Sequence, residues 1–268
     1  MKFTPLTSTV PDILARIVAK KREDLAAAGR LPIEQWEADA QRMVAQRRDF
    51  RAALATRTPA IIAEVKKASP SKGVLSANFD PARIAFDYAR GGAAALSVLT
   101  DGPFFQGSLA DLGAARASAG LPALRKDFTI DRAQILEAAA HGADAILLIA
   151  AILSKGEIRD FREEAARLQL SALVEVHNRA ELEVAVAAGA DLIGVNNRDL
   201  NSFAVTLQTS LDLAPHMPKG ALLVSESGIH SAADIALLRA AGYQAFLVGE
   251  YLMKSGDPAA ALAQLVAA

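Results

Sequence analysis

The chain has 268 residues, of which 52% are hydrophobic and 22% charged, with a formal net charge of −1. A core of good size can be buried at this length, which is usual for one α/β barrel of about 250 residues. Near-neutrality with scattered Lys and Arg provides no broad basic face for a nucleic-acid backbone, and the lack of cysteine removes disulfides, thiolate metal sites and cysteine nucleophiles.

In chain order, Met1 to Val10 shows no charged segment followed by an apolar run and a small-residue cleavage site. Every long apolar stretch further on is broken by charge or glycine, so a cytoplasmic protein with no membrane segment is expected. Residues 1–59 carry helical periodicity at Ile13-Leu14 and Ile17-Val18, and again from Trp36 to Leu54, without a strand pattern. They are expected to form an N-terminal helical extension, with Trp36 as a packing residue.

From residue 60 to 268, apolar runs rich in Val, Ile and Leu alternate with alanine-rich amphipathic segments, as when buried parallel strands alternate with covering helices. The runs place strands at Ile61–Lys66, Ala95–Leu99, Ala123–Lys126, Ala145–Ile149, Ala172–Val176, Leu192–Asn196, Leu222–Glu226 and Ala245–Val248. Helices are expected at Pro81–Arg90, Leu109–Ala119, Asp131–His141, Lys155–Leu168, Arg179–Ala188, Leu207–Ala214, Ser231–Ala241 and Pro258–Val266. Four junctions repeat a helix-ending glycine before the next strand: Gly92, Gly142, Gly189 and Gly242. The fold class predicted is therefore a (β/α)8 TIM barrel with an N-terminal helical extension, as one domain over residues 1–268.

Barrels place reactive groups at the C-terminal ends of their strands, and side chains two apart on a strand share a side. Glu64 and Lys66 on strand one, Lys126 on strand three, Glu175 on strand five, Asn196 on strand six and Glu226 on strand seven then converge on one mouth. Mutual proximity of ammonium and carboxylate groups there would shift their pKa values toward usable acids and bases, with plain salt bridging as the alternative. The Ser/Pro/Gly segment Ala68 to Gly73 is long enough to fold over a ligand. Glycines after strands seven and eight, in Ser225-Glu226-Ser227-Gly228-Ile229 and Val248-Gly249-Glu250, offer backbone N–H groups where barrels often hold phosphate.

Phe104-Phe105 and Phe128 stand on the loops after strands two and three, where they could sandwich a planar ring. His141, His177, His216 and His230 have no metal-ligand spacing and read as structural or exposed, so no metal is expected.

Several longer segments together resemble indole-3-glycerol-phosphate synthase: Ile62 to Gly73, Leu99-Thr100-Asp101 with Phe104 to Ser108, Leu124-Arg125-Lys126-Asp127-Phe128, Glu175-Val176-His177, Ile193 to Leu200, Ser225 to Ile229 and Phe246 to Glu250. The resemblance runs from about residue 60 to the C-terminus, and the N-terminal helices suit the family's extension. It implies ring closure of 1-(2-carboxyphenylamino)-1-deoxyribulose 5-phosphate with loss of carbon dioxide and water, in tryptophan biosynthesis, without a cofactor. By the same resemblance Lys126 is the general acid, Glu175 the base, and Lys66 a second acid or substrate anchor. Glu64, Asn196 and Glu226 bind or orient sugar hydroxyls and lysines. Arg198 takes the anthranilate carboxylate or the phosphate, and Ser227, Gly228 and Gly249 hold phosphate. Phe105, Phe128, Leu147 and Leu200 line the apolar pocket, and Ser69 sits on the closing loop.

One local departure is Glu250-Tyr251, where relatives often carry smaller or differently polar residues. The partner expected is a small phosphorylated molecule, with no nucleic acid and no membrane. A monomer is expected, and association with other tryptophan-pathway enzymes stays open. Two alternative enzymes are another phosphate-binding barrel, such as phosphoribosylanthranilate isomerase, which needs no convergent lysines, and a Schiff-base aldolase, which would use a strand-end lysine as a nucleophile. A third alternative is an inactive binding barrel, since fold alone implies no activity.

Overall fold

A computed structural model describes residues 12–70, 72–76 and 78–268. Residues 1–11, on which the expectation of no leader segment rests, lie outside the described residues, as does Ser71 of the loop after strand one.

Eight parallel strands close into a barrel: β1 Ala60–Val65, β2 Ala95–Leu99, β3 Ala123–Lys126, β4 Ala145–Ile149, β5 Ser171–Val176, β6 Leu192–Asn196, β7 Leu222–Glu226 and β8 Ala245–Val248. Each pairs with its sequence neighbours, and β8 closes on β1 through Ala60↔Ala245 to Ala63↔Val248. The apolar runs have this form because both faces of every strand are covered. Ile61, Ala63 and Val65 belong to the outer core under the helices, whereas Ala60 and Ile62 join Leu124, Leu147, Leu173 and Val224 inside the barrel.

Three helices precede the barrel, α1 Asp12–Ala27, α2 Ile33–Met43 and α3 Phe50–Ala55. Phe50 and Leu54 of α3 are fully buried in the interior cluster, and Trp36 of α2 packs on the outer core. After β1 comes α4 Pro81–Gly91; after β2, α5 Gly102–Phe105 and α6 Leu109–Ala119; then α7 Arg132–Ala140, α8 Lys155–Arg167, α9 Arg179–Ala187, α10 Gln208–Leu213, α11 Ala232–Ala240, α12 Glu250–Met253 and α13 Pro258–Val266. Side-chain caps from Asp80, Ser108, Asp131, Ser154, Asn178, Ser231 and Asp257 satisfy the first free N–H groups of the longer barrel helices.

Two expectations are corrected. Lys66 lies one residue beyond β1, and the Phe104-Phe105 segment is a short helix rather than a loop, because the Asp101 carboxylate accepts the Phe104 N–H at 2.8 Å and Pro103 sits in the first turn. The segment after β1 also carries structure of its own, a two-residue antiparallel ladder of Ala68–Ser69 with Gly73–Val74.

Asp144, fully buried just before β4, joins the extension to the barrel. One oxygen accepts Arg48 N–H at 2.8 Å and Arg116 Nη2 at 3.0 Å; the other accepts Arg116 Nε at 2.8 Å and Ala123 N–H at 2.9 Å. Asp144→Ala removes the acceptor of four N–H groups, two of them on the Arg116 guanidinium, which keeps only the Gln46 carbonyl as partner, so urea unfolding should show a loss of ~3 kcal/mol.

Candidate active site

At the C-terminal mouth of the barrel a cavity of about 390 Å³ opens, within the usual range for small-molecule sites. The fifteen residues given roles by the family resemblance all line it: Glu64, Lys66, Ser69, Phe105, Lys126, Phe128, Leu147, Glu175, Asn196, Arg198, Leu200, Glu226, Ser227, Gly228 and Gly249; Phe104, expected beside Phe105 on the ring, does not. Strand register explains the convergence, since Asn196 pairs with Glu226 across β6 and β7, and Ile149 with Glu175 across β4 and β5.

Lys126 stands at the centre. Its Nζ donates to Glu175 Oε2 at 2.8 Å and to Glu226 Oε2 at 2.9 Å, and Lys66 pairs with Glu64 alongside. Burial disfavours the Lys126 ammonium, but Glu175, Glu226 and Glu64 more than offset this and hold its pKa above the ordinary lysine range. Burial also disfavours the Glu175 carboxylate, but Lys126 and His177 bring it well below the usual range. Glu226 goes the other way: burial, with repulsion from Glu175 and Glu64, outweighs Lys126 and pushes it up to about 7. Its Oε1 is buried without a hydrogen-bond partner.

The Glu226 shift gives a stability prediction. A carboxyl whose folded pKa is raised from 4.5 to about 7 stabilises the fold below pH 4.5, and that contribution is lost as pH rises through 7. Glu226→Gln does not titrate, so its Tm should exceed that of the parent at pH 8, with the difference vanishing near pH 4.5. Thermal melts across this range test it, and a constant offset would sink it.

Two glycines make room for the carboxylates. A side chain at Gly194 would collide with the Glu226 carboxylate, and one at Gly249 with that of Glu64. Asn196 is held at three points: its amide donates to Glu175 Oε1 at 3.3 Å, and its carbonyl oxygen accepts Ser227 Oγ at 2.9 Å and Arg198 N–H at 3.1 Å.

The cavity has two unlike ends. Phe105 and Phe128, with ring centroids 6.0 Å apart, make one wall apolar. Near Gly249, Arg198 and Lys72 approach Glu250 at 3.6 and 3.9 Å, and Lys254 pairs with Glu250 at 2.6 Å. The departure noted at Glu250-Tyr251 therefore sits at the cationic end, where Glu250 engages the local cations and both residues line the cavity.

Some lining residues were not singled out. Ile13, Leu14 and Ile17 of α1 reach the cavity; their apolar spacing is legible, but it reads as packing. Phe203 and Val205, after β6, also line it. Behind the wall, Lys21 of α1 pairs with Asp127 at 2.6 Å and Asp101 at 3.1 Å, tying the helix to the ends of β2 and β3. Burial of Asp127 is outweighed by Arg125 and Lys21, which pull its pKa down to about 2. His177, read as structural or exposed, is partly buried against Glu175 and Glu181. His230, though exposed, lines the cavity.

Among the described residues no helix is long and apolar enough to cross a membrane.

A family model described as indole-3-glycerol phosphate synthase matches residues 14–265, from α1 to α13. The chain is 52% identical over 265 residues to the indole-3-glycerol phosphate synthase of Variovorax paradoxus, covering 96% of this chain and 99% of that protein. It is 50% identical over 263 residues to the protein of the same name from Bordetella pertussis, covering 96% and 99%. Among solved structures, a 3-hexulose-6-phosphate synthase superposes with a TM-score of 0.59 at 15% identity, over 78% of this chain and 98% of that one. An N-acetylmannosamine-6-phosphate 2-epimerase from Clostridium perfringens does so with a TM-score of 0.57 at 16% identity, over 74% and 89%. Identities that low reflect the barrel fold alone, whereas half-identity over nearly the whole chain is decisive: the chain belongs to the indole-3-glycerol phosphate synthase family.

Proposed function

We propose that this chain closes the indole ring of 1-(2-carboxyphenylamino)-1-deoxyribulose 5-phosphate, as a carboxy-lyase of tryptophan biosynthesis, with Lys126 as its general acid. The observation that carries the assignment of the acid is the partly buried Lys126 ammonium held between Glu175 and Glu226.

In the first step the ring carbon bearing the carboxylate attacks the substrate ketone, and a C–C bond forms as the carbonyl π bond breaks. Lys126 gives its proton to the developing oxyanion, stabilising charge that exists only in the transition state. Loss of carbon dioxide returns the C–C bonding pair to the ring and restores its aromaticity. The new hydroxyl takes a proton from an ammonium at the mouth, Lys66 or a reprotonated Lys126, its C–O bond breaks and water leaves, while Glu175 takes the proton that the ring system sheds. Lys66 anchors substrate or serves as a second acid, with Glu64 as its partner, while Asn196 and Glu226 orient the sugar hydroxyls and Lys126.

Phe105, Phe128, Leu147 and Leu200 enclose the aromatic ring. Ser227, Gly228 and Gly249 hold the phosphate, with Arg198 available to it or to the anthranilate carboxylate, and Ser69 lies on the segment that closes over the ligand. A Schiff-base aldolase needs a neutral lysine amine, and the carboxylates around Lys126 favour the ammonium instead.

The test is to mix the protein with this substrate and follow indole fluorescence. Turnover by the parent protein supports the reading; a folded protein that forms no indole would overturn it. Lys21→Met should loosen α1 and its apolar contacts with the cavity, raising KM roughly tenfold, or ~1.4 kcal/mol, with a smaller change in kcat. Steady-state kinetics on this variant check the contribution of the extension.

A further inference from the structure

His177 follows β5 by one residue, two positions after Glu175, so both side chains leave the strand on the same side. It does not line the cavity. Its Nδ1 is 2.9 Å from Glu181 Oε2 on α9, and its Nε2 is 3.2 Å from Glu175 Oε1, a charge contact off the hydrogen-bond line to an oxygen that also accepts Asn196 Nδ2 at 3.3 Å. The other oxygen of Glu175 accepts Lys126 at 2.8 Å, and Lys126 continues to Glu226 at 2.9 Å. A continuous chain of alternating charge thus runs from α9 into the reaction mouth: Glu181, His177, Glu175, Lys126, Glu226.

We propose that His177 is a positioning residue for the ring closure: its ring, clamped by Glu181, joins Asn196 in holding one oxygen of Glu175, by charge rather than by a hydrogen bond, so that the other stays on Lys126. This rests on the reaction assigned above. Glu181 is fixed by two further contacts, accepting His177 N–H at 2.8 Å and Asn178 Nδ2 at 2.6 Å, so the clamp is anchored at the start of α9.

The charged groups facing the ring are Glu175 on β5, Glu181 on α9 and Asp199 in the loop after β6. All three are carboxylates and favour the imidazolium. Burial opposes that form, but Glu175 and Glu181 prevail and bring His177 up to about 10. The imidazolium in turn adds a cation to a mouth where Glu64, Glu175 and Glu226 face Lys66 and Lys126, and it helps keep Glu175 ionised.

The test has an arm that does not need activity. Nitrogen NMR of the imidazole in the parent enzyme should show both ring nitrogens protonated at pH 8, with titration lowered toward the ordinary histidine value in Glu175→Gln. In kinetics, the kcat of the parent should fall as pH rises through about 10, since Lys126 keeps its proton there. His177→Gln should lower kcat roughly tenfold or more at pH 8, leave KM little changed and shrink that basic limb to whatever share Lys66 contributes as a second acid.

A ring that titrates near 6.5 in the parent, or a His177→Gln enzyme with parental kcat and pH profile, overturns the inference. If His177→Gln does not fold, the NMR titration decides alone. Absence of turnover in the parent would instead count against the assigned reaction and leave the NMR result standing.

Discussion

Replacing Lys126 by Ala should lower kcat by about 10³ or more while KM changes little, because the lost proton and charge act chiefly in the transition state. The variant removes the cation between Glu175 and Glu226. Two buried carboxylates facing each other without it would be costly, but Glu226, already raised to about 7, can take up a proton and relieve the repulsion. The fold should therefore survive, and circular dichroism with a thermal melt provides the control. Equal losses of stability and activity would mark Lys126 as structural and remove it as the acid.

Glu175→Gln should be the next most damaging change, lowering kcat by about 10²–10⁴, the range for loss of a positioned acid or base. The amide keeps the shape and can still meet His177 or Asn196, but it neither accepts a proton nor balances Lys126. The damage should appear after the carbon–carbon bond forms, since Glu175 is assigned to the dehydration. Rapid quenching should reveal carbon dioxide release running ahead of indole formation; parallel loss of both products would move Glu175 to an earlier step.

Six of the eight strands have the bounds that their apolar runs predict, because a strand buried on both faces records itself in consecutive Val, Ile and Leu. The two exceptions begin one residue earlier than the patterns indicate. Ser171 is polar and so does not count toward an apolar run, yet its backbone pairs with Ala145; Ala60 likewise pairs with Ala245. Backbone ladders continue where side-chain patterns stop. The chemistry-bearing residues were legible for a related reason: a charged residue that ends an apolar run in a barrel has few places to go except the mouth.

The role of α1 was less legible. The Ile13-Leu14 and Ile17 pattern specifies an amphipathic helix but not which surface it covers, and Lys21 is an ordinary helix lysine until Asp101 and Asp127 are found beside it. His177 is similar, since a histidine without metal-ligand spacing says nothing about the carboxylates that enclose it. Gly194 shows the same limit, because its need for glycine arises from Glu226 on the next strand.

The sequence by itself determined the barrel, its strand order and the residues at the mouth, because hydrophobic periodicity and strand-end position are local properties of the chain. The tertiary structure decided which charges pair, which carboxylate is raised and which lowered, and that α1 completes the cavity wall. Those depend on distances and burial shared by residues far apart in sequence, and no local pattern encodes them.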